Sequence, residues 1–118
     1  MEWWGVKIQI PRFARRVEMN WPARYWGPAE QCWIECRVID LSLGGAALDV
    51  PVPADEPQGQ VIIELQDVDG RPIGLQLRAQ VSNWEGRDGR VRIGVAFVGT
   101  TSLERFKLAG ILSRLTSS

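Results

Sequence analysis

Seven stretches of this 118-residue sequence alternate apolar and polar side chains with period two. Val6, Ile8 and Ile10 form the first, followed by Val17, Met19, Trp21, Ala23 and Tyr25. The third holds Cys32, Ile34, Cys36 and Val38, and the fourth Ala46, Leu48 and Val50. Val61, Ile63 and Leu65 make the fifth; Ile73, Leu75, Leu77, Ala79 and Val81 the sixth; Val91, Ile93, Val95 and Phe97 the last. Only an extended strand puts every second residue on one face. Six main strands and a short N-terminal one, each apolar on one side, need a sheet that closes or folds over to cover that side. The alternation therefore predicts an all-β domain, a small antiparallel barrel or sandwich.

Turn residues separate the runs: Gly27-Pro28, Gly44-Gly45, the stretch from Pro51 to Gly59, Asp69-Gly70, and Gly86 to Gly89. Asp69-Gly70 between two strands predicts a two-residue hairpin of type I′, which needs positive φ twice. Pro22 lies on the outward parity of its strand and marks an edge or a bulge. The period changes after residue 100. Thr101-Ser102-Leu103-Glu104 fits a capping box. Leu103, Phe106, Leu108, Ile111, Leu112 and Leu115 then read as one broad apolar helix face, over about residues 102–115, that covers one opening or side of the sheet. Residues 11–118 thus form one domain, and residues 1–10 an N-terminal extension. Its Trp3, Trp4 and alternating Val6, Ile8 and Ile10 suggest an added strand or a docking surface.

Composition removes several function classes. Lys and Arg total 14, Asp and Glu total 14, and there is no histidine. Zero net charge and one short basic cluster argue against a DNA or RNA track. Without histidine, the usual metal ligand and general base are missing, and no phosphate loop of the G-x-x-x-x-G-K form occurs. A non-enzymatic chain without metal or cofactor is expected. No apolar run is long enough to span a membrane, and MEWWGVKIQI lacks a secretory pattern, so the cytoplasm is the default compartment. Cys32 and Cys36 lie four apart on one strand face, with Cα atoms ~13 Å apart, too far for a disulfide. Both read as small buried core residues.

Two constellations remain. PRFARRVEM, residues 11 to 19, sets Arg12, Arg15 and Arg16 just before the first long strand. Guanidinium groups pair with phosphates and with the O6 and N7 edge of guanine. The second is Asp40-Leu-Ser42-Leu-Gly44-Gly45. Strict alternation through Val38 puts Asp40 on the apolar face. A carboxylate can accept paired N–H donors, Ser42 can donate or accept, and the glycines allow positive φ and close ligand approach. Each constellation also has a bland explanation, a solvated basic loop and a hydrogen-bonded turn.

Together, R-x-x-x-R at Arg12 and Arg16, a strand, and D-x-S-x-x-G at Asp40, Ser42 and Gly45 resemble the signature of the PilZ family. The runs R-V-E-M-N-W-P-A-R (16 to 24) and R-I-G-V-A-F-V (92 to 98) are similar to that family's first and last barrel strands. The resemblance covers roughly residues 11 to 115. It implies a six-stranded antiparallel β-barrel with a C-terminal α-helix, acting as a receptor for the bacterial second messenger cyclic di-GMP. By the same resemblance, the arginines of the first motif close over the dinucleotide, and Asp40 and Ser42 bind a guanine. Arg15 is an added phosphate contact by proximity, and Gly44 and Gly45 make room. The arginine segment is expected to order on binding and so signal to an unidentified protein partner. The alternative is a PilZ-like adaptor that binds a protein and no nucleotide.

Overall fold

The computed structural model describes residues 16–28, 30–50, 59–67, 69 and 71–116. The expected N-terminal strand, Arg12 and Arg15 lie outside them. Six strands and one helix follow in order: β1 (Val17–Gly27), β2 (Cys32–Leu41), β3 (Gly45–Val50), β4 (Gln60–Gln66), β5 (Pro72–Arg87), β6 (Arg90–Phe97) and α1 (Ser102–Thr116). The strands close into a barrel in the order β1-β2-β3-β6-β5-β4, and every neighbouring pair is antiparallel. The expected architecture is the observed one.

The alternating residues fill the interior. Ala23, Tyr25, Val38, Leu48, Ile63, Leu77 and Ile93 are among those at 1% exposure or less. Closure is what hides them, because an open sheet of this length would leave its inner face wet. The Tyr25 hydroxyl has no hydrogen-bond partner among the described residues. Burial and the nearby Glu30 push its pKa up to about 12, so it stays neutral in the barrel. Pro22 sits just outside the β1–β4 ladder, which begins at Ala23 opposite Leu65. Its missing N–H therefore costs that ladder nothing.

Leu108 and Ile111 of α1 are buried and join the barrel core. The capping box forms as expected: Glu104 N–H donates to Thr101 Oγ1 at 3.1 Å, and Thr101 N–H donates to Glu104 Oε1 at 3.0 Å. The broad apolar helix face does not hold. Leu103 and Phe106 are exposed. At ~100° per residue, Phe106 lies ~160° around the helix from Leu108, so one helix cannot bury both against one barrel. No helix among the described residues is long and apolar enough to cross a membrane.

Two other expectations change. Asp67 N–H donates to Arg71 O at 2.9 Å, and the Asp67 carboxylate accepts from the N–H groups of Asp69 and Arg71. The β4–β5 connection is therefore longer than a two-residue hairpin. The type I′ turn sits instead at Asp88-Gly89, with φ of 53° and 78°, between paired Arg87 and Arg90. Of the two cysteines, Cys36 is buried and Cys32 is exposed. Cys32 lies at the very start of β2, opposite Gly27, whose lack of a side chain leaves it uncovered from β1.

Candidate ligand site on the barrel wall

Asp40 owes its direction to a β-bulge. Val38 pairs with Leu48, but Asp40 pairs with Ala47, the very next residue of β3. Ile39 is therefore an extra residue in β2, and it resets the parity. Val38 and Leu41, three apart, are both fully buried. Asp40 is thereby turned outward, opposite Glu18 of β1, and not toward the apolar side as strict alternation implied.

The first arginine motif meets the second at this point. Arg16 Nη1 donates to Asp40 Oδ1 at 2.6 Å across a sequence separation of 24 residues. Their side chains are 60% and 24% exposed. A pair this open to water contributes only ~0–1 kcal/mol. A ligand that offers Asp40 better donors could displace Arg16 at small cost.

The rest of the motif is a tightly bonded turn. Ser42 is 3% exposed. Its Oγ accepts N–H bonds from Gly44 at 3.2 Å and Gly45 at 3.1 Å. The Ser42 N–H donates to Gly45 O at 2.9 Å, and Phe97 N–H donates to Gly44 O at 2.9 Å, bracing the turn against β6. A Cβ on Gly45 would lie 2.3 Å from the Val95 carbonyl oxygen, so glycine is required there by strand contact. Neither Gly44 nor Gly45 takes a positive φ. Gly44 is exposed, and the nearest atom to a Cβ built on it is Ser42 Oγ at 4.0 Å. That leaves its surface open to a bound molecule.

One neighbour of the site was not singled out in the sequence. Arg37 stands outward on β2, where its Nε donates to Asn20 Oδ1 at 2.5 Å and its Nη2 to Asn20 O at 2.7 Å. The bulge that turns Asp40 outward is what puts the two on one face, and an R-x-x-D spacing on an assumed regular strand conceals this. Beyond it, Arg90 is ion-paired with Asp49 on the outer side of β3 and β6, and that carboxylate raises the Arg90 pKa.

A second outward cluster lies at the other end of β1. Trp26 and Trp33 face each other edge to face at 5.6 Å and 74°. The Arg24 guanidinium sits 4.4 Å from the Trp33 ring centre and donates to Glu64 at 2.6 Å. Gln76 donates to the other Glu64 oxygen at 2.9 Å. These bonds hold the Glu64 carboxyl below its ordinary pKa. Trp33 therefore packs between its strand neighbours Trp26 and Arg24. Nine residues of strand, ~30 Å, separate Trp26 from Val17, so the tryptophan pair does not belong to the Asp40 site.

A model of the PilZ domain family matches residues 9–113. No curated protein matches. Among solved structures, the PilZ domain of YcgR from Escherichia coli, determined with c-di-GMP, superposes with a TM-score of 0.71 at 20% identity, over 92% of this chain and 93% of that one. The Bacillus subtilis inhibitor of motility MotI/DgrA gives 0.70 at 12% identity, and MrkH of K. pneumonia in its apo state 0.64 at 18%. The match covers 91% and 92% of this chain but only 51% and 52% of those two. Likeness at these identities is a likeness of fold.

Proposed function

The chain belongs to the PilZ domain family, and on that premise we propose that it is a non-enzymatic receptor for cyclic di-GMP. The observation that carries the proposal is the meeting of Arg16 with Asp40 on the outer barrel wall, beside a turn whose Gly44 is open. The c-di-GMP bound by the YcgR PilZ domain supports the choice of ligand. Cyclic di-GMP carries two phosphate charges and two guanines. It needs cations for the phosphates, planar groups for the base edges, and an acceptor for adjacent guanine N–H donors.

Asp40 supplies that acceptor. Its carboxylate exchanges Arg16 for a guanine N–H edge. Arg16, once released, and Arg12 turn to guanine O6 and N7 or to a phosphate, with Arg15 as a further phosphate contact. Ser42 and Gly45 hold the turn in shape, and the ligand approaches over Gly44. Rearrangement of the arginine segment around the ligand changes the surface shown to a protein partner.

Isothermal titration of the purified chain tests this. Binding is expected, with Asp40→Ala weakened roughly 10- to 100-fold, the worth of a charged hydrogen-bonded acceptor. Circular dichroism should show Asp40→Ala folded like the wild type, because the exposed pair it breaks contributes little. No heat at high micromolar ligand would overturn the proposal and favour the adaptor alternative.

A further inference from the structure

Phe106 of α1 is 76% exposed and Leu103 62%. Beside them runs an open groove of ≈ 500 Å³, lined by Leu43, Thr100, Ser102, Arg105, Phe106 and Ala109. Leu43 is the residue between Ser42 and Gly44, so one wall of the groove is the turn of the ligand site. Leu103 and Phe106, three apart on α1, share one exposed face, and a contiguous apolar patch beside a groove is a surface on which another segment can dock.

Chain geometry points to the occupant. Val17 pairs with Leu41 in the antiparallel β1–β2 ladder. Continuing one residue upstream brings Arg16 alongside Ser42, and the ion pair with Asp40 holds it there. Arg16, the first described residue, is thus held next to the turn that carries Leu43. Phe13 is three residues before Arg16, within ~10 Å of extended chain. It is the only apolar residue larger than alanine between Pro11 and Arg16.

We propose that the groove between the 42–44 turn and α1 seats this chain's own N-terminal segment, with Phe13 as its anchor against Leu43 and Phe106. Seating Phe13 also sets its neighbours Arg12 and Arg15 beside Asp40 before any ligand arrives. This docking belongs to the ligand-free chain and does not depend on which ligand the site takes.

Limited trypsin digestion of the full ligand-free chain, followed by mass spectrometry, tests it. The bonds after Arg15 and Arg16 are the readout. Phe106→Ala should speed their cleavage about tenfold, the effect on an opening equilibrium of losing part of a phenyl ring's burial. Phe13→Ala should do the same, and the double variant should be no faster than either single one. Cleavage after Arg90 should be unchanged in all three, which separates undocking from unfolding. Equal rates in wild type and Phe106→Ala overturn the proposal. So does a dimer that Phe106→Ala dissociates while Phe13→Ala leaves it intact, since the groove would then belong to a second copy.

Discussion

Ser42→Ala separates two roles for the serine of the second motif, the frame of the turn and a direct ligand contact. The substitution deletes one oxygen that serves two amides. Gly44 is exposed, so water replaces the lost bond to its N–H. Gly45 is buried, and its N–H is left without a partner at a cost of roughly 1–3 kcal/mol. The Gly45 carbonyl loses the weak hydroxyl contact at 3.3 Å but keeps the Ser42 N–H at 2.9 Å. The net loss of stability should be about 2 kcal/mol. In urea, with a slope of 1–3 kcal/mol per molar, the unfolding midpoint should fall by about 1 M. Titration with cyclic di-GMP in buffer alone, where the variant is still folded, should show a loss of affinity smaller than that of Asp40→Ala. A midpoint equal to wild type combined with a large loss of affinity would refute the framing role and make the hydroxyl a ligand contact.

Gly45→Ala forces a Cβ to within 2.3 Å of the Val95 carbonyl oxygen, so β3 and β6 must separate. The cost should be about 1–3 kcal/mol, seen as a melting temperature lower by roughly 10 °C, whereas Gly44→Ala should melt like the wild type. Glu64 has a lowered folded-state pKa, so its contribution is present above its ordinary value of 4.5 and lost as pH falls through the folded value. Glu64→Gln should therefore unfold at lower urea than wild type at neutral pH, with the gap closing in acid; a gap that stays constant with pH would count against the Arg24–Glu64–Gln76 cluster. Burial pushes the Cys36 thiol up to about 12, while Cys32 is exposed. A thiol reagent at mildly alkaline pH should label Cys32 alone in the native protein and both residues in denaturant, and equal native labelling would show the barrel opening at Cys36.

Much of the fold was legible because its driving force is local and periodic. Val61-Ile63-Leu65 and Ile73 to Val81 alternate without error, and alternate residues of a strand must share a face whatever the strand packs against. Thr101 and Glu104 announced the helix start because a capping box is made within four residues. The inward half of the helix face, Leu108, Ile111, Leu112 and Leu115, was also in the pattern. Apolar character alone puts Leu103 and Phe106 on the same face, but at ~140° and ~160° around the helix from Leu108 neither can reach the barrel with it, and both are exposed.

Where non-local contacts decide, the sequence pattern misled or was silent. Two Asp-Gly pairs look alike, yet only Asp88-Gly89 makes the two-residue turn, because strand register on both sides selects the loop length. Cys32 and Cys36 share a parity, yet only one is buried, because Cys32 is the first residue of β2, at the end of the barrel. The sequence pattern is also silent on the structural duties of the second motif, where Gly45 is demanded by the Val95 carbonyl of another strand and Ser42 Oγ bonds the amides of its own turn.

The residue types at Arg16 and Asp40, and their separation along the chain, belong to the sequence alone. That they touch was decided by tertiary structure. Ile39 is inserted as a bulge relative to β3, where Val38 and Asp40 pair with the consecutive residues Leu48 and Ala47, a register that β2 alone does not specify. That one extra residue turns Asp40 from the core side to the outer wall, where the start of β1 delivers Arg16. A period-two count cannot see an inserted residue, since the insertion exists only relative to a partner strand.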